Sequence, residues 1–157
     1  MRQGARVGVD VGKVRIGLSK SDLHGMLAVP VETVKRSRDG SDFARIRAIA
    51  GDCDAIEIIV GLPLSLSGSR TASTEDAADF ARRLADLVHI PVRLVDERLS
   101  TVSAQSALRA SGRNTKNSRS VIDQAAATVI LEQALEVERV SGKLPGILVT
   151  PTIGPTT

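Results

Sequence analysis

Two short runs too apolar to face water, Val7–Val11 and Val92–Val95, each bring a carboxylate with them: Asp10 inside the first and Glu97 just past the second. Runs of this kind read as buried strands. A third acid, Asp123 in SVIDQAAA, sits on a long helical stretch whose neighbours are small. Burying several carboxylates together is costly, because like charges repel and lose hydration. A divalent cation is the usual remedy, so Asp10, Glu97 and Asp123 read as one convergent metal site.

The elements around these runs define the fold class. Arg6–Val11 and Val14–Lys20 flank a turn containing Gly12 and form a hairpin, and Ala28–Lys35 adds a third strand to an antiparallel meander. Ser41 is placed to cap a helix carrying Phe43, Ile46 and Ala50, with Gly51 as its stop. Ala55–Val60 is a short apolar strand closed by Gly61-Leu62-Pro63, and Ala77, Phe80, Leu84 and Val88 share one face of the next helix. Pro91 precedes the fifth strand, a helix is expected near Thr101–Ser111, and a last helix over roughly Ser118–Arg139. The expected architecture is α/β: a single domain with a mixed five-stranded sheet, an antiparallel meander plus two parallel strands, flanked by helices. Residues 1–140 form the domain, and 141–157 read as a loosely held tail rich in Pro, Gly and Thr.

Composition narrows the chemistry. A chain of 157 residues is most simply one domain. It shows neither an apolar run of membrane-spanning length nor a signal peptide's apolar segment, so a cytoplasmic protein without membrane contact is expected. Its one cysteine, Cys53, permits no internal disulfide or cysteine zinc site and reads as a packing residue. The charge is unevenly spread. Residues 1–38 hold eight Lys/Arg against three Asp/Glu, 39–97 hold six against eleven, and 98–122 hold five basic residues and no acid. Either basic segment alone would read as a solvated face. Together, each beside one of the three acids, they are what a polyphosphate substrate requires.

On the first strand Val7, Val9 and Val11 point one way and Gly8, Asp10 and Gly12 the other, so the acid stands on a face kept nearly bare. Glu97 lies past the carboxyl end of a buried strand, where open α/β sheets place their ligand sites. Ile122, Ala126, Val129, Ile130 and Ala134 are expected to form the last helix's buried stripe, with Asp123 on its flank. A salt bridge from Asp123 to an arginine is the competing role. Carboxylates without histidine or thiolate favour hard ions, so Mg²⁺ or Mn²⁺ in a two-metal site is expected. Two such ions about 4 Å apart can activate water and stabilise the leaving oxygen of a phosphodiester. Lys13, Arg15, Arg98, Arg113, Lys116 and Arg119 are the candidate phosphate contacts, alongside Arg109. Such contacts position substrate without reading sequence. With no Trp or Tyr, and with Phe43 and Phe80 facing the core, base stacking has almost no platform. A structured nucleic acid recognised through its backbone fits better than a melted strand.

Four segments in order, Gly8–Gly17 (GVDVGKVRIG), Gly61–Gly68 (GLPLSLSG), Asp96–Thr101 (DERLST) and Asp123–Ala126 (DQAA), make the chain resemble the YqgF/RuvX family of RNase H-like proteins. Ser65 and Ser67 stand where relatives often carry an amide and an acid. The resemblance implies an RNase H-like fold with Asp10, Glu97 and Asp123 as metal-binding acids. It also implies a cytoplasmic nuclease for maturation of the small-subunit ribosomal RNA precursor, pre-16S rRNA, or for resolution of Holliday junctions. Symmetric junction cutting would call for a homodimer. Two other classes stay open: a non-catalytic ribosome assembly factor, and a phosphotransferase, since Asp-x-Gly after a strand also occurs in actin-like ATPases.

Overall fold

The computed structural model describes residues 1–98 and 115–151, and the side chains of residues 115–119 are outside that description. The helix expected near Thr101–Ser111 and the candidates Arg109 and Arg113 lie outside the described residues. In chain order the elements are β1 (Arg6–Val11), β2 (Arg15–Ser21), β3 (Ala28–Lys35), α1 (Ser41–Asp52), β4 (Glu57–Leu62), α2 (Ala72–Leu87), β5 (Val92–Asp96), α3 (Thr115–Ser141) and β6 (Ile147–Leu148). They build one mixed sheet in the order β3-β2-β1-β4-β5-β6. The meander β1–β3 is antiparallel, while β1, β4 and β5 run parallel.

The sheet therefore has six strands rather than five. The extra strand comes from the segment expected as a tail: β6 pairs antiparallel with β5, through Arg93↔Leu148 and Leu94↔Ile147. Without it β5 would present an unpaired edge. Gly146, with φ 65°, allows the close approach, since a Cβ there would meet the Leu94 carbonyl. Beyond the pair, the Val149 N–H donates to Val92 O at 2.8 Å and its side chain joins the core.

Alternation along the strands sorts the two faces. Val7, Val9, Ile16, Leu18, Ile58 and Val60 face α1 and α2, against Phe43, Ile46, Phe80 and Leu84. The rings of Phe43 and Phe80 stack with centroids 4.6 Å apart. The N-cap of α1 is Gly40 at φ 84°, not Ser41, which is the helix's first residue. Thr71 caps α2 in a reciprocal box with Thr74, whose hydroxyl also donates to Pro63 O and ties the helix start to the end of β4.

The other face belongs to α3, and its small residues decide how near that helix comes. A Cβ on Gly17 would overlap the Asp123 carbonyl, and one on Gly8 would crowd Ala127 O. Between them the Ser19 hydroxyl donates to Ala127 O at 2.8 Å. The buried stripe of α3 is Ala127, Ile130, Leu131, Ala134, Leu135 and Glu138. This corrects the expected phase: Ala126 and Val129 are only half-buried, and Ile122 is 37% exposed. The shift has a physical reason. Asp123 and Glu138 both face inward because each finds a cationic partner, whereas a stripe drawn from apolar residues alone excludes them.

Glu138 anchors α3 at the end of the sheet far from Asp123, about 22 Å along the helix at 1.5 Å per residue. Its carboxylate accepts from Arg2 Nη2 at 2.6 Å and Arg6 Nη2 at 3.0 Å. Glu57 accepts from Arg2 at 3.0 Å and Arg93 at 2.8 Å. Arg6, Glu57 and Glu138 are all buried. Burial pulls the Glu138 carboxyl upward, but the hydrogen bonds of Arg2 and the charges of Arg2 and Arg6 outweigh it and hold it at about 2.

Two outcomes follow from this packing. Removing one partner of a buried ion pair costs about 3–5 kcal/mol, so Glu138→Ala should lose stability on that scale in urea denaturation. Because the folded carboxyl is depressed, its contribution is complete above its unfolded value of 4.5 and disappears as pH falls through about 2. Glu138→Gln should therefore flatten the acid limb of a stability–pH profile. Gly17→Ala should lift α3 from β2, costing about 1–3 kcal/mol by overpacking, whereas Gly51→Ala, with open space around it, should not destabilise by clash; thermal melts compare the two.

Candidate active site

The candidate acids gather at the carboxyl ends of the parallel strands. Asp10 stands near the end of β1 on the α3 side, half-buried, opposite Gly17 of β2. Glu97 follows β5 directly, and its backbone N–H donates to Leu62 O at 3.3 Å, pinning it to the end of β4. Its side chain crosses β4 over Gly61, where a Cβ would strike Oε2. Glycine on the intervening strand is what lets an acid from β5 reach one on β1. There the two carboxyl groups hydrogen-bond to each other.

Both are pushed above the ordinary carboxylate range. For Asp10 burial is the leading cause and the Asp123 charge adds to it, against the opposing hydrogen bond of Glu97. For Glu97 burial again leads, followed by the charge and hydrogen bond of Asp10 and the charge of Asp96. Two half-buried carboxyl groups in contact cannot both ionise cheaply, so the pair retains a shared proton to higher pH than either acid would alone.

Asp123 lies on the inner face of α3, close enough to raise Asp10, but its carboxylate is held by Arg15, Nε to Oδ2 at 3.0 Å. The arginine pairing weighed against metal binding is therefore present. Among the described residues no group of three or more His, Cys, Asp and Glu is drawn together tightly enough to hold a metal ion. Asp10 and Glu97 meet, and Asp123 stands beside them bound to a cation of the chain itself. The donor set still suits a hard divalent ion: all-oxygen and half-buried, with Asp10 and Glu97 in contact.

The candidate phosphate contacts divide. Lys13 is exposed in the β1–β2 turn, without an ion-pair partner among the described residues. Arg15 is engaged by Asp123, and Arg98 by Asp96 at 2.5 Å. The Asp96–Arg98 pair lies beside the 63–71 loop, where a Cβ on Gly68 would come within 3.3 Å of Arg98. Positions 116 and 119 fall on the first turns of α3, at helical spacing from 123. Gly17, Gly61 and Ser19 were not singled out by sequence reasoning as parts of the site, and only the strand register reveals what they admit. Cys53 donates its thiol weakly to Ala50 O at 3.7 Å and is raised by burial, as a packing cysteine should be.

Comparison with known proteins identifies the family. The family model described as "RuvX: Holliday junction resolvase" matches residues 4–137. A Leifsonia xyli protein named "Putative pre-16S rRNA nuclease" is 63% identical over 155 residues, covering 99% of this chain and 100% of its own. A Streptomyces coelicolor protein of the same name is 50% identical over 147 residues, covering 93% and 88%. Among solved structures, RuvC of T. thermophilus in complex with a Holliday junction superposes with a TM-score of 0.55 at 16% identity, covering 90% of this chain and 99% of that one. At that identity the likeness speaks for the fold, which is RNase H-like. Matched along almost its whole globular length, the chain belongs to the RuvX family.

Proposed function

We propose that the protein is a metal-dependent endonuclease that hydrolyses phosphodiester bonds in structured nucleic acid in the cytoplasm, with the 5′ end of pre-16S ribosomal RNA as its substrate. The observation that carries this reading is the meeting of Asp10 and Glu97, delivered from β1 and β5 across a glycine of β4, in a chain of this family.

In this reading Asp10, Glu97 and Asp123 are the ligands of Mg²⁺ or Mn²⁺, which when bound would activate water and stabilise the leaving oxygen. The chain's own residues set the conditions for that chemistry. Asp10 and Glu97 share a proton that they would have to release in order to serve as ligands. Arg15 holds the Asp123 carboxylate at 3.0 Å; were Asp123 to serve as a ligand, the Arg15 guanidinium would be free to contact a substrate phosphate, for which its planar donors are suited. Arg15 is then both the guard of Asp123 and a phosphate contact. Lys13, Arg98, Arg113, Lys116 and Arg119 complete the proposed set of backbone contacts. None of these groups reads a base edge, so shape and end structure define the substrate.

Junction resolution is the second reading, favoured by the description of the matching family model. It requires two sites related by a two-fold axis, hence a homodimer. Cleavage of a precursor-rRNA end and of a four-way junction, each with Mn²⁺ or Mg²⁺, separates the two. Cleavage of the RNA with no paired nicks in the junction supports the first reading; symmetric nicks in the junction alone replace it with the second.

Asp10→Asn and Glu97→Gln should each lower cleavage by at least about a hundredfold while leaving the melting temperature unchanged or raised, since each relieves carboxylate repulsion. Retained function in Asp10→Asn would instead indicate a non-catalytic assembly factor. Chelation of divalent ions should abolish cleavage, and added Mn²⁺ or Mg²⁺ should restore it. Arg15→Gln should tighten metal binding by removing the competitor for Asp123 while raising KM, measured by metal titration and steady-state kinetics.

A further inference from the structure

A cationic cavity opens at the β1–β2 turn. Its volume is about 420 Å³, and it is lined by Lys13, Arg36, Ser37, Arg38 and Arg83, with no apolar side chain among them. Four cations from three separate stretches, the β1–β2 turn, the loop after β3 and the middle of α2, converge there. Asp76 accepts from both terminal nitrogens of Arg36, at 2.6 and 3.1 Å, and Asp42 accepts from the Ser37 backbone N–H at 3.2 Å. Among the described residues no ion pair joins Lys13 or Arg38 to an acid.

Concentrating like charges this way is unfavourable unless something offsets it, and the fold spends aromatic contacts to keep two of them in place. The Arg36 guanidinium lies 5.4 Å from the Phe80 ring centroid, and that of Arg83 lies 5.3 Å from Phe43. These are the two rings that stack on each other in the core. Arg36 also donates to Gly12 O at 3.1 Å, holding the turn that carries Lys13 against the cavity. The guanidiniums are thus positioned before any ligand arrives, which lowers the ordering cost of binding.

We infer that this cavity binds a backbone phosphate of the nucleic-acid substrate, one to three nucleotides from the cleaved bond. The distance follows from the chain: Lys13 is three residues from Asp10, so their Cα atoms are at most about 11 Å apart. The ligand class follows from the lining, whose side chains are four cations and one hydroxyl, without an aromatic ring among them. The site extends the nuclease reading and rests on it. It would fix the direction in which a strand crosses the acids, leaving sequence unread.

The test is a salt series of anisotropy titrations with a labelled RNA duplex, on wild type, the double variant Arg38→Gln/Arg83→Gln, Arg82→Gln and Asp10→Asn. Each lost phosphate contact should make the slope of log K against log salt shallower by about one unit. The double variant should therefore lose about two units, with KM for cleavage rising in step. Arg82, on the same helix and paired with Asp79, serves as the control for general charge. An unchanged slope in the double variant, or an equal change in Arg82→Gln, would overturn the cavity's role. Should Arg83→Gln melt early through loss of its Phe43 contact, Arg38→Gln alone, at an exposed position, must still lower the slope by about one unit. Absence of salt-dependent binding by wild type would instead overturn the nuclease reading itself, whereas Asp10→Asn that binds but does not cut leaves that reading standing whatever the cavity does.

Discussion

The approach of α3 to the sheet is the constraint on which the candidate site depends. The helix backbone passes so near β1 and β2 that a Cβ at position 8 or 17 would collide with it, and Gly8 and Gly17 supply the room. That contact carries the Asp123 backbone over β2 and keeps its carboxylate within electrostatic reach of Asp10. Gly61 plays the same part on β4, where it admits the Glu97 side chain. Three glycines on three adjacent strands thus act as a negative mould for the site. Each removes a Cβ where an acid or its helix has to pass.

Two electrostatic arrangements occupy the two ends of α3, and they are opposite in kind. At the Glu138 end buried carboxylates are matched by Arg2, Arg6 and Arg93, and Glu138 is held well below its usual range. At the other end Asp10 and Glu97 face each other and are raised, while Asp123 is held by Arg15. Ion pairing of this kind fastens α3 and the first residues of β1 and β4, whereas the contact of two acids at the other end disfavours their joint ionisation. A fold spends stability at one place to hold an unfavourable cluster at another. The cationic cavity beside Lys13 repeats the theme with the sign reversed, its guanidiniums steadied by Phe43 and Phe80.

Strand order and type were legible because hydrophobic alternation is local. β1 and β3 fall where the residue pattern puts them, and β4 and β5 end within two residues of expectation. The phase of α3 was not legible, because two of its inward positions are charged and periodicity counts charge as surface. Neither was β6: two residues carry no period, and only the unpaired edge of β5 gives Ile147 and Leu148 a reason to extend. The convergence of Asp10 with Glu97 could be argued from strand ends. That Arg15 competes for Asp123 required the register of β2 against α3.

By itself the sequence determined the mixed α/β class, the acids and their attachment to strand ends, and the basic character of the flanking segments. Those properties are set by residue type and by spacing within a few positions. Only the tertiary structure decided which acids touch, which cation each meets, and that Lys13, Arg36, Arg38 and Arg83 line one cavity. Such pairings join residues tens of positions apart, and their distances depend on how closely helix and sheet can pack, which no local pattern encodes.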